Sequence, residues 1–203
     1  MPGRIRKILK YFDIALATAS PRRRELIKLI PNVRPVFIPA DVEEVTLENA
    51  EKTAVANARI KGEFVRKITE LPVLAFDTVV GTESAVFGKP KTKEQAIDMF
   101  KTLCGSTHEV VTAVYLGLKD KIIEKIEKTF VTFGAFEEKL VYNYVDSGAP
   151  YDKAGGYNID DPEIKPLITG VDGDYHNVVG LPVKLTEKLI EENLIYGENG
   201  YRT

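Results

Sequence analysis

Three short apolar runs near the start of the chain alternate with segments of helical period, and this alternation restricts the fold more than any other feature. "FDIALAT" (residues 12–18), "VRPVFIP" (33–39) and "LPVLAF" (71–76) have the length and residue types of strands. After the first run, Ser20 reads as a helix N-cap and Pro21 as the first helical residue. Leu26, Leu29 and Ile30 then recur at helical spacing, which predicts a helix from Pro21 to about Ile30. After the second run comes an acidic loop, "ADVEEV". Residues 48–70 then carry a stripe of Ala50, Ala54, Ala58, Lys61, Val65 and Ile68, in steps of three and four. The order β-α-β-α-β predicts α/β layers.

The rest of the chain extends this frame. "GTESAVFGKP" reads as a hairpin and loop. Thr92 caps the next helix, with Gln95 completing a capping box, and Gly105 stops it shortly after Cys104. "HEVVTAVYLGLKDKIIEKIEKTFVTFG" reads as two long strands joined near Lys119–Lys121. A short helix follows from Glu137 to Val145. "SGAPYDKAGGYNIDDPEIKP" is too long for mere linkage and is expected to be functional or locally packed. "YHNVVGL" reads as a final strand, and Pro182 starts a last helix to about Asn193. The expected fold is α/β, with a mixed twisted sheet, flanking helices and a central ribbon reaching into a second lobe. Residues 1–11 form a basic extension ahead of one domain, 12–203.

The 203 residues are enough for a real core, and the net charge of −2 offers no chain-wide basic field for nucleic acid. One cysteine excludes an internal disulfide framework and a multi-cysteine zinc site. No apolar run reaches ~18 residues, so no membrane helix is expected. The basic-then-apolar start resembles a signal peptide, but Asp13 interrupts it and an arginine-rich helix follows, so a cytoplasmic protein is expected.

Within "ATASPRRREL", Arg22, Arg23 and Arg24 fall at the predicted start of a helix, where cations cost roughly 0.3–1 kcal/mol each. A bound anion would reverse that balance, with Arg22 and Arg23 as donors; otherwise these are solvated or stacked surface arginines, the reading kept for Arg24. Asp77 ends an apolar strand in "AFDTVV", the position from which α/β proteins reach a ligand. It could hold Mg²⁺ or Mn²⁺, position a water, or simply cap a turn. Lys61 interrupts an apolar stripe and either faces a site or snorkels. Lys89 lies in "GKP", which lacks the spaced glycine and following hydroxyl of a P-loop. Glu43 or Glu44 could add a metal ligand or merely be solvated. His108 and His176 are weak metal candidates, "DGD" lacks EF-hand spacing, and no GxGxxG is present. The residues alone point to an oxygen-ligand metal site surrounded by cations, suited to phosphate ester chemistry.

Five blocks in order resemble the Maf family of nucleoside triphosphate pyrophosphatases. They are "LATASPRRREL", the helix bearing "ANARIKG", "FDTVV" with "FGKPKTKEQAIDMFKTLCGSTHEVVTAV", "YVDSGAPYDKAGGYNI" and "GDYHNVVGLPV", together spanning about residues 14–193. The resemblance implies an elongated two-lobed fold with a central cleft, often a cytoplasmic homodimer. It also implies hydrolysis of a nucleoside triphosphate to the monophosphate and pyrophosphate with Mg²⁺, Mn²⁺ or Co²⁺. Asp77 corresponds to the family's catalytic carboxylate, Ser20, Arg22, Arg23, Lys61 and Lys89 to its phosphate-facing residues, and Glu44, with Asp77, to its metal side. Arg22 and Thr78 fall where base preference is tuned. Asp160 stands where the dTTP/UTP branch carries glutamine, which opens the base choice, and Thr18 replaces the usual serine. Two other readings compete. A nucleotide-binding regulator of cell division could dispense with Asp77, and a nucleic-acid binder is weakened by the net charge.

Overall fold

A computed structural model describes residues 11–195, so the basic start lies outside the described residues except for Tyr11. Seven strands form one sheet: β1 (Phe12–Ala17), β2 (Val33–Phe37), β3 (Val73–Gly81), β4 (Val86–Phe87), β5 (Thr107–Gly117), β6 (Ile122–Phe133) and β7 (Ile168–Asp172). Their order is β2-β1-β3-β5-β6-β7, with β4 paired to β3. β1 runs parallel to β2 and β3, and the remaining pairs are antiparallel. The sheet is therefore mixed, as the sequence predicts.

Alternation along β3 decides what each face becomes. Val73, Ala75 and Val79 point to the face covered by α2 (Ala50–Arg66), where they pack with Ala50, Ala54, Ala58 and Val65. The alanine stripe lets this helix lie close to the sheet. At Gly62 a Cβ would stand 2.2 Å from the Tyr115 ring, so no larger residue fits without movement. Leu74 and Phe76 point to the opposite face and pack with Ile27, Ile30 and the last helix, α6, whose range is Val183–Ile190. Further along, Val80, Val110, Val131 and Phe133 bury α3 (Lys93–Leu103) and α4 (Glu138–Asp146) in a third cluster. Among the described residues no helix is long and apolar enough to cross a membrane.

Four local expectations are corrected. The first helix, α1, spans only Pro21–Leu26 and gives way to a tight 3₁₀ turn at Ile27–Leu29. Arg23 and Arg24 already lie in its last turn, so the dipole penalty expected for three cations largely disappears. β3 does not stop at Asp77 but continues to Gly81. Residues 175–179 form a short helix, α5 (Tyr175–Val179), rather than a strand. Asp174 caps it by accepting the His176 N–H at 2.8 Å, and Gly180 ends it at φ +119°. The last strand is instead β7, a half-exposed edge strand whose sequence, "ITGVD", has no apolar run. The capping box expected at α3 is half formed: Thr92 accepts from the Gln95 N–H (3.2 Å), but Gln95 reaches past Thr92 to accept from the Lys91 N–H (2.8 Å).

Candidate active site

The site arises from a gap in the edge of β3. On one side β5 pairs with it from Val73 to Gly81. On the other, β1 covers only Val73–Ala75 and β4 covers only Val80–Gly81. Between them Phe76–Val79 has no strand on that edge, just beyond the carboxyl end of β1. A cleft of about 980 Å³, counting its open mouth, lies there. Ser20, Arg22, Arg23, Glu44, Lys61, Asp77, Thr78 and Lys89, far apart in sequence, all line it.

Asp77 and Thr78 leave the strand on opposite faces. Asp77 faces α2 and is 5% exposed. Its Oδ1 accepts from Lys61 Nζ at 2.5 Å, and its Oδ2 accepts from Asn57 Nδ2 at 3.3 Å. The same ammonium lies 2.6 Å from Glu44 Oε1. One buried cation is thus shared by two carboxylates. Their environments push them apart. Burial raises the Asp77 carboxyl above the ordinary aspartate range, with Glu44 adding to the rise, against the opposing pull of Lys61 and Arg23. At Glu44 burial also favours the neutral form, but Lys61, Lys89 and Arg23 outweigh it and hold the carboxyl below its ordinary value. Such a split separates a carboxylate that stays charged from one that can take a proton.

Thr78 faces the other side. Its hydroxyl accepts from Arg23 Nη2 at 3.0 Å and lies 3.0 Å from the Thr112 hydroxyl. Arg23 also donates from Nε to the Gly180 carbonyl at 2.8 Å, so two of its donor groups serve the cleft wall. Burial lowers its proton affinity, and the charges of Asp77 and Glu44 partly restore it. Arg22 reaches across the mouth instead. It donates from Nη1 to Asp152 Oδ2 at 3.0 Å and from Nη2 to the Asp152 carbonyl at 3.2 Å. Arg24 turns away, its guanidinium 4.9 Å from the Phe37 ring centroid. Ser20 caps α1 by accepting the Arg23 N–H at 3.4 Å, and its own O–H remains a donor for a ligand. Thr18, in place of serine, accepts the Ser20 N–H at 3.1 Å.

The long loop at 147–166 is packed, as expected, and forms one wall through Asp152, Lys153, Tyr157 and Asn158. Gly155, at φ +67°, makes that possible, because a Cβ there would stand 2.8 Å from Val80. Its N–H bonds the Gly88 carbonyl at 3.0 Å, fixing the loop beside Lys89. Asp160 is not among the lining residues: it is exposed and accepts from the Tyr175 hydroxyl. The placement that the resemblance implies for it, facing the base, therefore does not hold in this structure. Neither histidine sits in a metal cluster. His108 is buried and bonds Tyr157 Oη at 2.7 Å, and His176 lies 4.0 Å from Asp174.

Sequence reasoning missed Asn57, Asp152 and Lys153. Asn57 had a signal: Thr53, Asn57 and Lys61 form a polar row at steps of four beside the alanine stripe. The signal for Asp152 and Lys153 was only the length of their loop.

Comparison with known proteins shows the family and the fold. Residues 13–193 match the family described as Maf-like protein, and the chain belongs to that family. A dTTP/UTP pyrophosphatase of Thermosipho africanus is 37% identical over 189 residues, covering 92% of this chain and 97% of the relative. The dTTP/UTP pyrophosphatase of Carboxydothermus hydrogenoformans is 42% identical over 173 residues, covering 84% and 92%. Among solved structures, a HAM1 protein from Coxiella burnetii matches with a TM-score of 0.52 at 17% identity, over 88% of this chain and 98% of its own. The Staphylococcus aureus Ham1 protein matches with a TM-score of 0.51 at 18% identity, over the same shares of the two chains. At these identities the structural likeness carries the fold.

Proposed function

We propose that this chain hydrolyses nucleoside triphosphates to the monophosphate and pyrophosphate, with dTTP and UTP as the preferred class. The observation that carries the reading is the Glu44–Lys61–Asp77 cluster, set in a cleft also lined by the cations Arg22, Arg23, Lys89 and Lys153, a lining suited to a polyanion. Family membership and the named activity of its relatives support it.

Attack on a phosphorus surrounded by anionic oxygens is chiefly an electrostatic problem. Asp77, with its raised proton affinity, orients a water and takes its proton as the oxygen attacks. Glu44 stays charged and holds Lys61 beside it until a cation takes that place. Lys61 and Lys89 neutralise charge that builds on the leaving pyrophosphate. Arg22 exchanges Asp152 for the substrate, so the anion it binds replaces one it already holds. Thr78 and Arg22 line the cleft, which supports a part for them in recognising the nucleotide, whereas Asp160 lies outside the lining.

Among the described residues no group of three His, Cys, Asp or Glu side chains converges as a metal cage. Glu44 and Asp77 do converge on one point, now taken by Lys61 Nζ. Two carboxylates suit Mg²⁺ or Mn²⁺ that completes its shell with phosphate oxygens. These two residues would hold the cation, and it would supply charge neutralisation at the phosphates. The testing experiment is product analysis: dTTP and UTP should give equal amounts of monophosphate and pyrophosphate, and Asp77→Asn should form both at least about 10²-fold more slowly.

A further inference from the structure

We infer that Asn57 is the positioning residue of the catalytic cluster, holding Glu44 through the Val45 backbone and Asp77 through its own amide. This rests on the pyrophosphatase reading above. The loop from Ile38 to Glu48 has no strand or helix of its own, so side chains must place it. α2 supplies them in sequence. Thr53 accepts the Leu47 N–H at 3.0 Å. Asn57, one turn further, accepts the Val45 N–H through Oδ1 at 2.8 Å and donates from Nδ2 to the Val45 carbonyl at 3.0 Å. Lys61, another turn on, binds Glu44. The loop is therefore pinned antiparallel to the helix, with Asn57 as its two-bonded centre.

Both donors of the Asn57 amide are used, and its oxygen accepts once. One Nδ2 hydrogen serves the Val45 carbonyl and the other serves Asp77 Oδ2, while Oδ1 serves the Val45 N–H. Asn57 is 3% exposed, so water cannot substitute freely for a lost partner. No other residue type of this size offers two donors and an acceptor on one planar group. Aspartate keeps the acceptor and loses both donors; leucine loses all three.

The experiment compares Asn57→Leu and Asn57→Asp with the wild-type chain by steady-state kinetics on dTTP and by amide hydrogen exchange. Asn57→Leu should lower kcat at least tenfold with KM within about threefold, because Arg22 and Lys89 still meet the triphosphate. The Val45 amide should exchange at least tenfold faster, while Leu47, held by Thr53, and the β3 amides keep their protection. Asn57→Asp keeps the acceptor for the Val45 N–H and should retain most Val45 protection, yet lose kcat at least tenfold, because it loses both donors and sets a carboxylate beside Asp77. On a Glu44→Gln background, Asn57→Leu should cost less than threefold more, because the two changes disrupt one arrangement. Wild-type kcat in both variants, a loss confined to KM, full additivity with Glu44→Gln, or unchanged Val45 exchange in Asn57→Leu would each overturn the inference. If Asn57→Leu does not fold, Asn57→Ala, which removes the amide without adding a charge, replaces it with the same expected and overturning results. A wild-type chain that releases no pyrophosphate would overturn the pyrophosphatase reading alone, and the Val45 exchange would still decide whether Asn57 holds the loop.

Discussion

The paired carboxylates around Lys61 carry the chemistry at the scale of single residues. Asp77→Asn should keep the fold, since the side chain has the same shape and Lys61 keeps Glu44, although one amide oxygen can accept from only one of Lys61 and Asn57. It should lower kcat by 10²-fold or more, a typical loss for removing a general base. Burial raises the Asp77 carboxyl, so without divalent cation its carboxyl infrared band should titrate above the ordinary aspartate range near 3.8; titration at or below that range would contradict the raised proton affinity. Arg22 makes a different claim. Its pair with Asp152 spans the open mouth, where the two side chains are 28% and 63% exposed, so screening leaves it worth about 1 kcal/mol or less. Arg22→Ala should therefore leave the melting temperature almost unchanged while kcat/KM for dTTP falls by one to two orders of magnitude. A melting shift larger than its catalytic effect would make Arg22 a structural strut.

Elements explain which parts of this fold were legible in the sequence. β1, β3, β5 and β6 are apolar where they are buried, and α2 and α3 show helical stripes, so pattern alone locates them. β7 is an edge strand with exposed alternation and a glycine, and its signal is no stronger than that of a loop. "YHNVV" has the β-branched residues of a strand, but the Asp174 cap and Gly180 terminator turn it into α5; local capping outweighs propensity there. In the site, Asp77, Lys61 and the arginines were legible as charges in apolar or helical settings. Asp152 was not, because one aspartate in an Asp-rich loop carries no periodic mark. Gly62 shows how packing can reverse propensity. In an exposed helix Gly→Ala gains roughly 1 kcal/mol, but here a methyl group would meet the Tyr115 ring at 2.2 Å. Overpacking costs about 1–3 kcal/mol, so Gly62→Ala should lower the urea midpoint; a raised midpoint would mean that the Tyr115 ring moves aside freely.

For the whole molecule, the cleft exists because two halves of one sheet bury separate clusters and leave the edge of β3 open between β1 and β4. The third cluster contains a pH sensor of stability. His108 is buried between Phe133 and Tyr157, and burial lowers its pKa from 6.5 to about 4. The unfolded chain then binds a proton that the folded chain refuses. Stability should be full above about pH 6.5 and decline as pH falls towards 4, by on the order of 3 kcal/mol. His108→Gln should flatten that part of the curve, measured by urea unfolding at pH 7, 5.5 and 4.5. The central claim concerns the reaction itself. The measurement that tests it most directly is quantification of all phosphorus-containing products from dTTP and UTP with Mg²⁺ or Mn²⁺, for the wild-type chain and Asp77→Asn. The account predicts monophosphate and pyrophosphate in equal amounts from the wild type, and both at least about 10²-fold more slowly from the variant. Diphosphate with orthophosphate, no turnover by the wild type, or equal turnover by both proteins would contradict it.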